Sequence, residues 1–170
     1  MKAEEFERTV KFFMDQYTTM ALACSLDDFP WTAPVYYARR GYELVFFSSP
    51  SSRHAQILEK NPNASAAIYG YHSDWKSIKG LQMEGSVNRI SSPVAFAQAL
   101  ADYLRRYQFV KDLLKDTETL SSNVLGKSSR VSLYTFRPRS IRYLDNSLGF
   151  GTRWMVQVNE DAEISQPVLD

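Results

Sequence analysis

Apolar residues recur at helical spacing in the first seventeen positions. Phe6, Val10, Phe13, Met14 and Tyr17 form one stripe at a period of 3.6 and predict a helix over 3–17. The pattern then turns to short apolar runs bounded by turn residues. Strands are predicted over 18–26, 31–40 and 42–48, separated by Asp27-Asp28-Phe29-Pro30 and by Arg39-Arg40-Gly41. The third run is almost continuously apolar, which suits a strand covered on both faces. A short helix over 51–60 stops at Asn61-Pro62, and a strand of small residues follows over 64–71. After a loop over 72–76, a long strand occupies 77–90, with Gly80 and Gly85 as expected bulge or close-approach points. Ser92 and Pro93 have the form of an N-cap and first position for a helix reaching to about residue 115. Its apolar stripe is Phe96, Leu100, Tyr103, Leu104, Tyr107, Val110 and Leu114. Residues 116–129 read as a polar, Ser-rich loop. Two strands over 130–137 and 140–145 are expected to part at Pro138. A Gly-punctuated turn at 148–151 leads to a last strand over 154–158, and the tail after Asn159 is expected to be loose.

Strands joined by tight turns are antiparallel neighbours. The order therefore predicts a mainly β or α+β protein: an antiparallel split β-barrel of six to seven strands with flanking helices. One domain is expected over 1–158, with 159–170 as its tail.

Composition narrows the function classes. Twenty Lys+Arg stand against nineteen Asp+Glu. Residues 1–90 carry ten of each sign, and residues 91–170 carry ten basic and nine acidic. Neither half is a polycation, so no nucleic-acid partner is expected. No apolar run approaches a membrane span, and Met1-Lys2-Ala3-Glu4-Glu5 is acidic where a signal peptide is basic, so no membrane is expected and a cytoplasmic location is. One cysteine and two histidines argue against disulfide, zinc and iron–sulfur chemistry. Cys24 reads as a small buried hydrophobe. Arg130, Arg137, Arg139 and Arg142 form one local basic stretch, read as solvated charge in preference to a substrate or dimer contact.

The sharpest chemical signal is Ser48-Ser49-Pro50-Ser51-Ser52-Arg53-His54. With Ser52 as N-cap, Arg53 and His54 occupy the first two helical positions. Cations at that end oppose the helix dipole by about 0.3–1 kcal/mol each. A phosphate dianion would make each of these terms favourable, through the open amides, the hydroxyls and the Arg53 fork. The alternative is a capped surface helix with both side chains in water. Ser52 and His54 do not form a nucleophile–base pair, because residues two apart on a helix do not face each other. Small residues at 64–67 admit either a flat ring or dense packing under a helix, and Trp75 with His72 admits either a cover for a ligand or packing.

In order and spacing these segments resemble the FMN-binding split barrels, the superfamily of pyridoxamine 5′-phosphate oxidase. The carrying residues are Thr32-Ala33-Pro34-Val35-Tyr36-Tyr37, Leu44-Val45-Phe46-Phe47-Ser48, Ser52-Arg53-His54, Asn61-Pro62 and Lys79-Gly80-Leu81-Gln82-Met83-Glu84-Gly85. The stretch from Ile141 to Gly151 is similar to a small branch of that superfamily, and the resemblance spans about residues 5–158. It implies FMN as cofactor. Thr32, Ala33, Pro34 and Val35 would line the isoalloxazine ring, and Phe47 and Ser48 would lie near the ribityl phosphate. Ser52, Arg53 and His54 would hold the phosphate, and Lys79, Gly80 and Gln82 would approach the pyrimidine edge. It also implies a homodimer whose second subunit completes each site, with Arg142, Asn146 and the 148–154 turn as candidates. The function implied is a flavin-dependent oxidoreductase acting on a small-molecule substrate, with NAD(P)H as a possible hydride source and no identifiable general base. The family's phosphate pair is Arg-Lys, and here it is Arg53-His54. The residues with which the oxidase holds pyridoxal phosphate have no counterpart, so the resemblance does not extend to that substrate. The alternative is a non-catalytic homodimer storing or sensing flavin or haem, with F420 a further cofactor of such branches. For haem, His54 and His72 are the obvious nitrogen donors.

Overall fold

The computed structural model of the chain describes residues 1–108 and 131–170. The helices are α1 (Ala3–Gln16), α2 (Arg53–Lys60) and α3 (Pro93–Arg106). The strands are β1 (Thr19–Leu26), β2 (Phe29–Tyr36), β3 (Ala38–Arg40), β4 (Glu43–Ser48), β5 (Asn63–Tyr69), β6 (Lys79–Arg89), β7 (Ser132–Asp145), β8 (Arg153–Gln157) and β9 (Val168–Leu169). They form one antiparallel sheet in the order β2-β1-β5-β6-β7-β4-β3, with β8 beside β7 and β9 beside β8. β2 and β3 end this path on opposite edges, yet only Tyr37 separates them in the chain. The sheet has therefore curled round on itself and left a seam beside β2, which is the predicted split barrel.

Local chemistry explains the elements. Asp27 and Asp28 both take positive φ, 51° and 64°, and make the tight β1–β2 turn. Phe29 and Pro30, expected in that turn, already belong to β2. Ser92 caps α3 through its hydroxyl, and Pro93 opens it as expected. The expected strand 31–40 is broken at Tyr37. That residue is fully buried, donates its N–H to Thr18 O at 3.1 Å and its Oη–H to Met14 O at 2.7 Å, and so fixes a corner.

Pro138 does not end a strand. β7 runs through it, pairing with β4 over Ser132–Phe136 and with β8 over Ser140–Leu144. The proline's missing N–H falls where that edge changes neighbours. On the other edge Pro138 faces Gly85 at a register shift. The tail is not loose either. Val158 bridges Ile164, and β9 extends the sheet, with Asp170 N–H on Arg153 O at 2.9 Å. The expected helix beyond Gln108, the loop 116–129 and Arg130 lie outside the described residues.

The core fills the barrel from two directions. Phe6, Val10, Phe13 and Met14 of α1 pack with Leu22, Leu44, Phe46, Ile68, Leu81, Met83, Phe136 and Ile141 inside it, and buried Cys24 belongs to this cluster. Phe96 and Ala99 of α3 cover Val45 and Leu133 from outside. β4 is thus buried on both faces, as its unbroken apolar run requires.

Arg106, at the end of α3, ties the two helices together. Its guanidinium donates to Met14 O at 3.2 Å, to Asp15 O at 3.1 Å and to Tyr17 O, which lie at and just beyond the α1 C-terminus. It also lies over the Tyr37 ring at 5.2 Å. Arg106→Ala leaves these carbonyls without their charged donor in a half-buried place. The expected loss is about 2–3 kcal/mol, read as a lower urea midpoint with unchanged slope.

Candidate functional site

The Ser-rich turn after β4 and the first turn of α2 form a connected polar cluster. Ser52 caps α2 through its hydroxyl, which accepts from Ala55 N–H at 3.4 Å. His54 Nε2 lies 2.6 Å from Ser48 Oγ and 3.2 Å from Ser52 Oγ, and the two hydroxyls are 3.1 Å apart. Burial holds the His54 imidazole below its ordinary pKa, so in this state it is neutral at pH 7. Ser48, Ser52 and His54 thus lie together, and the Ser52–His54 contact departs from the expectation that residues two apart do not face each other, because Ser52 is the N-cap with extended backbone and stands outside the helix.

Arg53, the first residue of α2, makes a different contact. Its guanidinium lies over the Trp31 ring of β2, with Cζ 4.5 Å from the centroid. Among the described residues it makes no ion pair and no hydrogen bond. Arg39, Arg106 and Arg142, by contrast, are each paired with a carboxylate. A shallow cleft of about 280 Å³ opens beside it, lined by Leu26, Phe29, Gln56, Ile57 and Lys60. Trp31 escapes a reading of the sequence because nothing local connects it to a residue twenty-two positions later.

β2 borders the seam. Pro30 and Pro34 have no N–H, so they fit the phase of the strand that makes no ladder bond to β1. Residues of the same phase turn their backbone groups toward the open edge. Tyr36 shows this, since its carbonyl accepts from Tyr103 Oη at 3.2 Å. Thr32, in the same phase, has its N–H and C=O facing the seam. Of the predicted ring-lining residues, Ala33 and Val35 turn into the core, while Thr32 and Pro34 are exposed.

The remaining predicted residues lie on other surfaces. Phe47 belongs to the α3 side. Its ring meets Tyr103 edge-on at 4.9 Å, and Ser48 takes the opposite face. Lys79 Nζ is paired with Asp145 Oδ2 at 2.9 Å. Burial pushes the Asp145 carboxyl up, but bonds from Ser147 and Lys79 outweigh it, and the net shift is downward. Gly80 is buried with Ile68 O close by, and Gln82 is exposed. The register runs Pro34–Ala21–Ala67–Gln82–Arg142–Met155–Val168 across one face of the sheet. Gln82 therefore lies three strands, about 14 Å, from Pro34. Between them Ala21, Ala23, Ser65 and Ala67 leave a floor of small side chains on the outward face, whereas Ala66 packs inward.

The second-subunit candidates are mostly committed within the chain. Arg142 holds Glu84 at 2.6 Å and Asp170 at 3.1 Å. Asn146 is buried and uses both ends of its amide, on Trp75 O at 2.8 Å and Gly151 N–H at 3.0 Å. Phe150 is exposed and meets exposed Trp75 edge-on at 5.6 Å. The basic stretch is likewise engaged at Arg137, with Glu43, and at Arg139, with Asn63 and Gly85 O.

Fold and site together define a class: antiparallel split barrels with a serine-capped, arginine- and histidine-bearing helix start in contact with β2. The chain belongs to the pyridoxamine 5′-phosphate oxidase family, whose sequence profile matches residues 6–143. A UPF0306 protein of Haemophilus ducreyi is 27% identical over 134 residues, 77% of this chain and 90% of that protein. Two solved structures share the fold. A heme binding protein from Mycobacterium smegmatis has TM-score 0.69 and 22% identity, over 91% of this chain and 57% of that one, so this chain spans a little over half of it. A pyridoxamine 5′-phosphate oxidase-related, FMN binding protein from Nostoc punctiforme has TM-score 0.64 and 14% identity, over 99% of this chain and 92% of that one. No helix among the described residues is long and apolar enough to cross a membrane.

Proposed function

We propose that this chain is an FMN-binding oxidoreductase that acts on a small molecule as a homodimer. The observation that carries this reading is the Arg53 guanidinium, unpaired among the described residues, beside the capped start of α2. The donor set fits a phosphate dianion: one guanidinium with its in-plane N–H groups uncommitted, the Ser48 and Ser52 hydroxyls, the first amides of α2, and an imidazole able to accept a proton. FMN would supply the acceptance and donation of a hydride. The chain's own residues bind and orient it. Arg53, His54 and Ser52 hold the phosphate, and the seam edge at Thr32 offers one N–H and one C=O to a ring edge. Lys79 is paired with Asp145, so any charge it offers a ligand is already partly balanced.

The dimer is part of the same proposal. One chain leaves about 14 Å between the β2 and β6 parts of the site, over an outward face of small residues. A second copy on that face brings the two parts from different chains toward one ring.

Haem is the second reading, because the mycobacterial neighbour is described as a heme binding protein. Both histidines, however, have Nε2 engaged, His54 with serine hydroxyls and His72 with the Lys79 N–H at 3.4 Å. Flavin is placed first because the Arg53 guanidinium and the α2 amides suit a phosphate, which FMN carries and haem lacks. The absorption spectrum of the purified protein, before and after adding FMN or haemin, tests this. Flavin bands that stay with the protein through gel filtration, at the elution volume of a dimer, are the expected result. A Soret band retained in preference, or no chromophore at any concentration, overturns it. Anaerobic bleaching of the bound flavin by NAD(P)H then separates an enzyme from a store.

A further inference from the structure

We propose that Trp31 is a positioning residue that gives the site its preference for a phosphorylated ligand, by holding Arg53. The inference rests on the flavin reading and deepens it. An arginine at a helix start has a long stem with many rotamers, and among the described residues Arg53 has no carboxylate or carbonyl to fix it. What it has is the Trp31 indole, 4.5 Å from Cζ to the ring centroid. Indole is the strongest aromatic partner for a cation, and guanidinium stacks on it by its face. This contact over the ring leaves the N–H fork without a hydrogen-bond partner among the described residues, and that fork is the part that binds a phosphate bidentately. A carboxylate partner would fix the stem equally well, but it would occupy the fork and repel the ligand's charge.

Trp31 is suited to this task. It lies on β2 opposite Cys24 of β1, so its backbone is held in the ladder, while its side chain is 37% exposed. It immediately precedes Thr32, whose backbone faces the seam. A single strand segment thus fixes the phosphate-binding cation and presents the seam edge. The order lost by a free Arg53 would be recovered only on binding, at the expense of affinity.

Four variants and two ligands test this: Trp31→Leu, Trp31→Phe, Arg53→Ala and Arg53→Ala with Trp31→Leu. FMN and riboflavin differ only in the phosphate. Trp31→Leu is expected to weaken FMN about three- to fivefold, the size of an exposed cation–π contact, and to leave riboflavin unchanged. Trp31→Phe is expected to keep most of the affinity. On an Arg53→Ala background, Trp31→Leu is expected to cost nothing further. Thermal melting of each variant confirms the fold. Equal losses for both ligands, an undiminished loss on the Arg53→Ala background, or no loss at all overturns the proposal. Titration of the Arg53 Nε–H resonance with inorganic phosphate keeps the two readings apart. If no variant binds flavin, but phosphate saturates the wild-type chain at a lower concentration than it saturates Trp31→Leu, the flavin reading alone fails. If phosphate binds both chains equally, the positioning role fails.

Discussion

Gly85→Ala is expected to cost the fold about 3 kcal/mol or more, roughly two orders of magnitude in the folding equilibrium. A Cβ at Gly85 would lie 2.0 Å from Arg137 O, 2.8 Å from Arg137 C and 2.9 Å from Pro138 Cα. All three are backbone atoms of β7, which β6 pairs with along its whole length. No side chain can rotate away to relieve the overlap, so either β6 or β7 must move. Both are central in the sheet, so a shift of either disturbs its neighbours on both sides. Gly41→Asn is the contrast. Gly41 has φ +63° with nothing within 4 Å of an added Cβ, and asparagine tolerates that conformation better than other residues. Urea denaturation of both variants checks the pair. A midpoint for Gly85→Ala close to that of Gly41→Asn would show that the β6–β7 approach is not a constraint.

The contact between Gly85 and Pro138 also shows how much of the fold the sequence discloses. A glycine in a strand signals a bulge or a close backbone approach, and Gly85 is both. A proline in a strand signals a break, yet Pro138 is not one, because its neighbours on that edge change at that residue. Local rules give the elements, and the tertiary pairing decides which exceptions are allowed. The acidic tail departs from expectation for a related reason. Its pairing partner, β8, and the arginines that hold Asp170 are supplied by the sheet, and no feature of the tail itself announces them.

At the site, what is legible is local. Ser52, Arg53 and His54 follow from helix capping, and the contact from Ser48 to His54 spans six residues. The Trp31–Arg53 stack and the Lys79–Asp145 pair span twenty-two and sixty-six positions and are invisible to periodicity. Phe47 is different, because the information is present in the chain. Alternation along β4 puts Ser48 on one face with Phe46 and Leu44, and Phe47 on the other with Val45, so the two cannot both face one ligand.

The double substitution Arg53→Ala with His54→Ala is expected to weaken FMN at least a hundredfold and to leave riboflavin nearly unchanged. Each charge-assisted bond to a phosphate contributes roughly 1.5–3 kcal/mol, and the two together exceed twice the roughly 1.4 kcal/mol that makes one decade. The histidine adds a pH dependence that the family's lysine would not. In the free protein burial holds the imidazole below its ordinary pKa, so at pH 8 and at pH 7 it is neutral. A dianion beside it favours the imidazolium and raises that pKa, so binding takes up a proton. Affinity for FMN therefore rises as pH falls from 8 toward 6.5. The rise ends near pH 6, where the phosphate itself gains a proton. Riboflavin affinity stays flat over the same range. His54→Lys is expected to bind FMN as tightly at pH 8 as at pH 6.5, and His54→Gln to bind weakly at both. Isothermal titration in two buffers of different ionisation enthalpy measures the proton uptake directly. Zero uptake by the wild-type chain, with the same FMN affinity at pH 6.5 and pH 8, would remove His54 from the phosphate's surroundings and return it to its role of bonding Ser48.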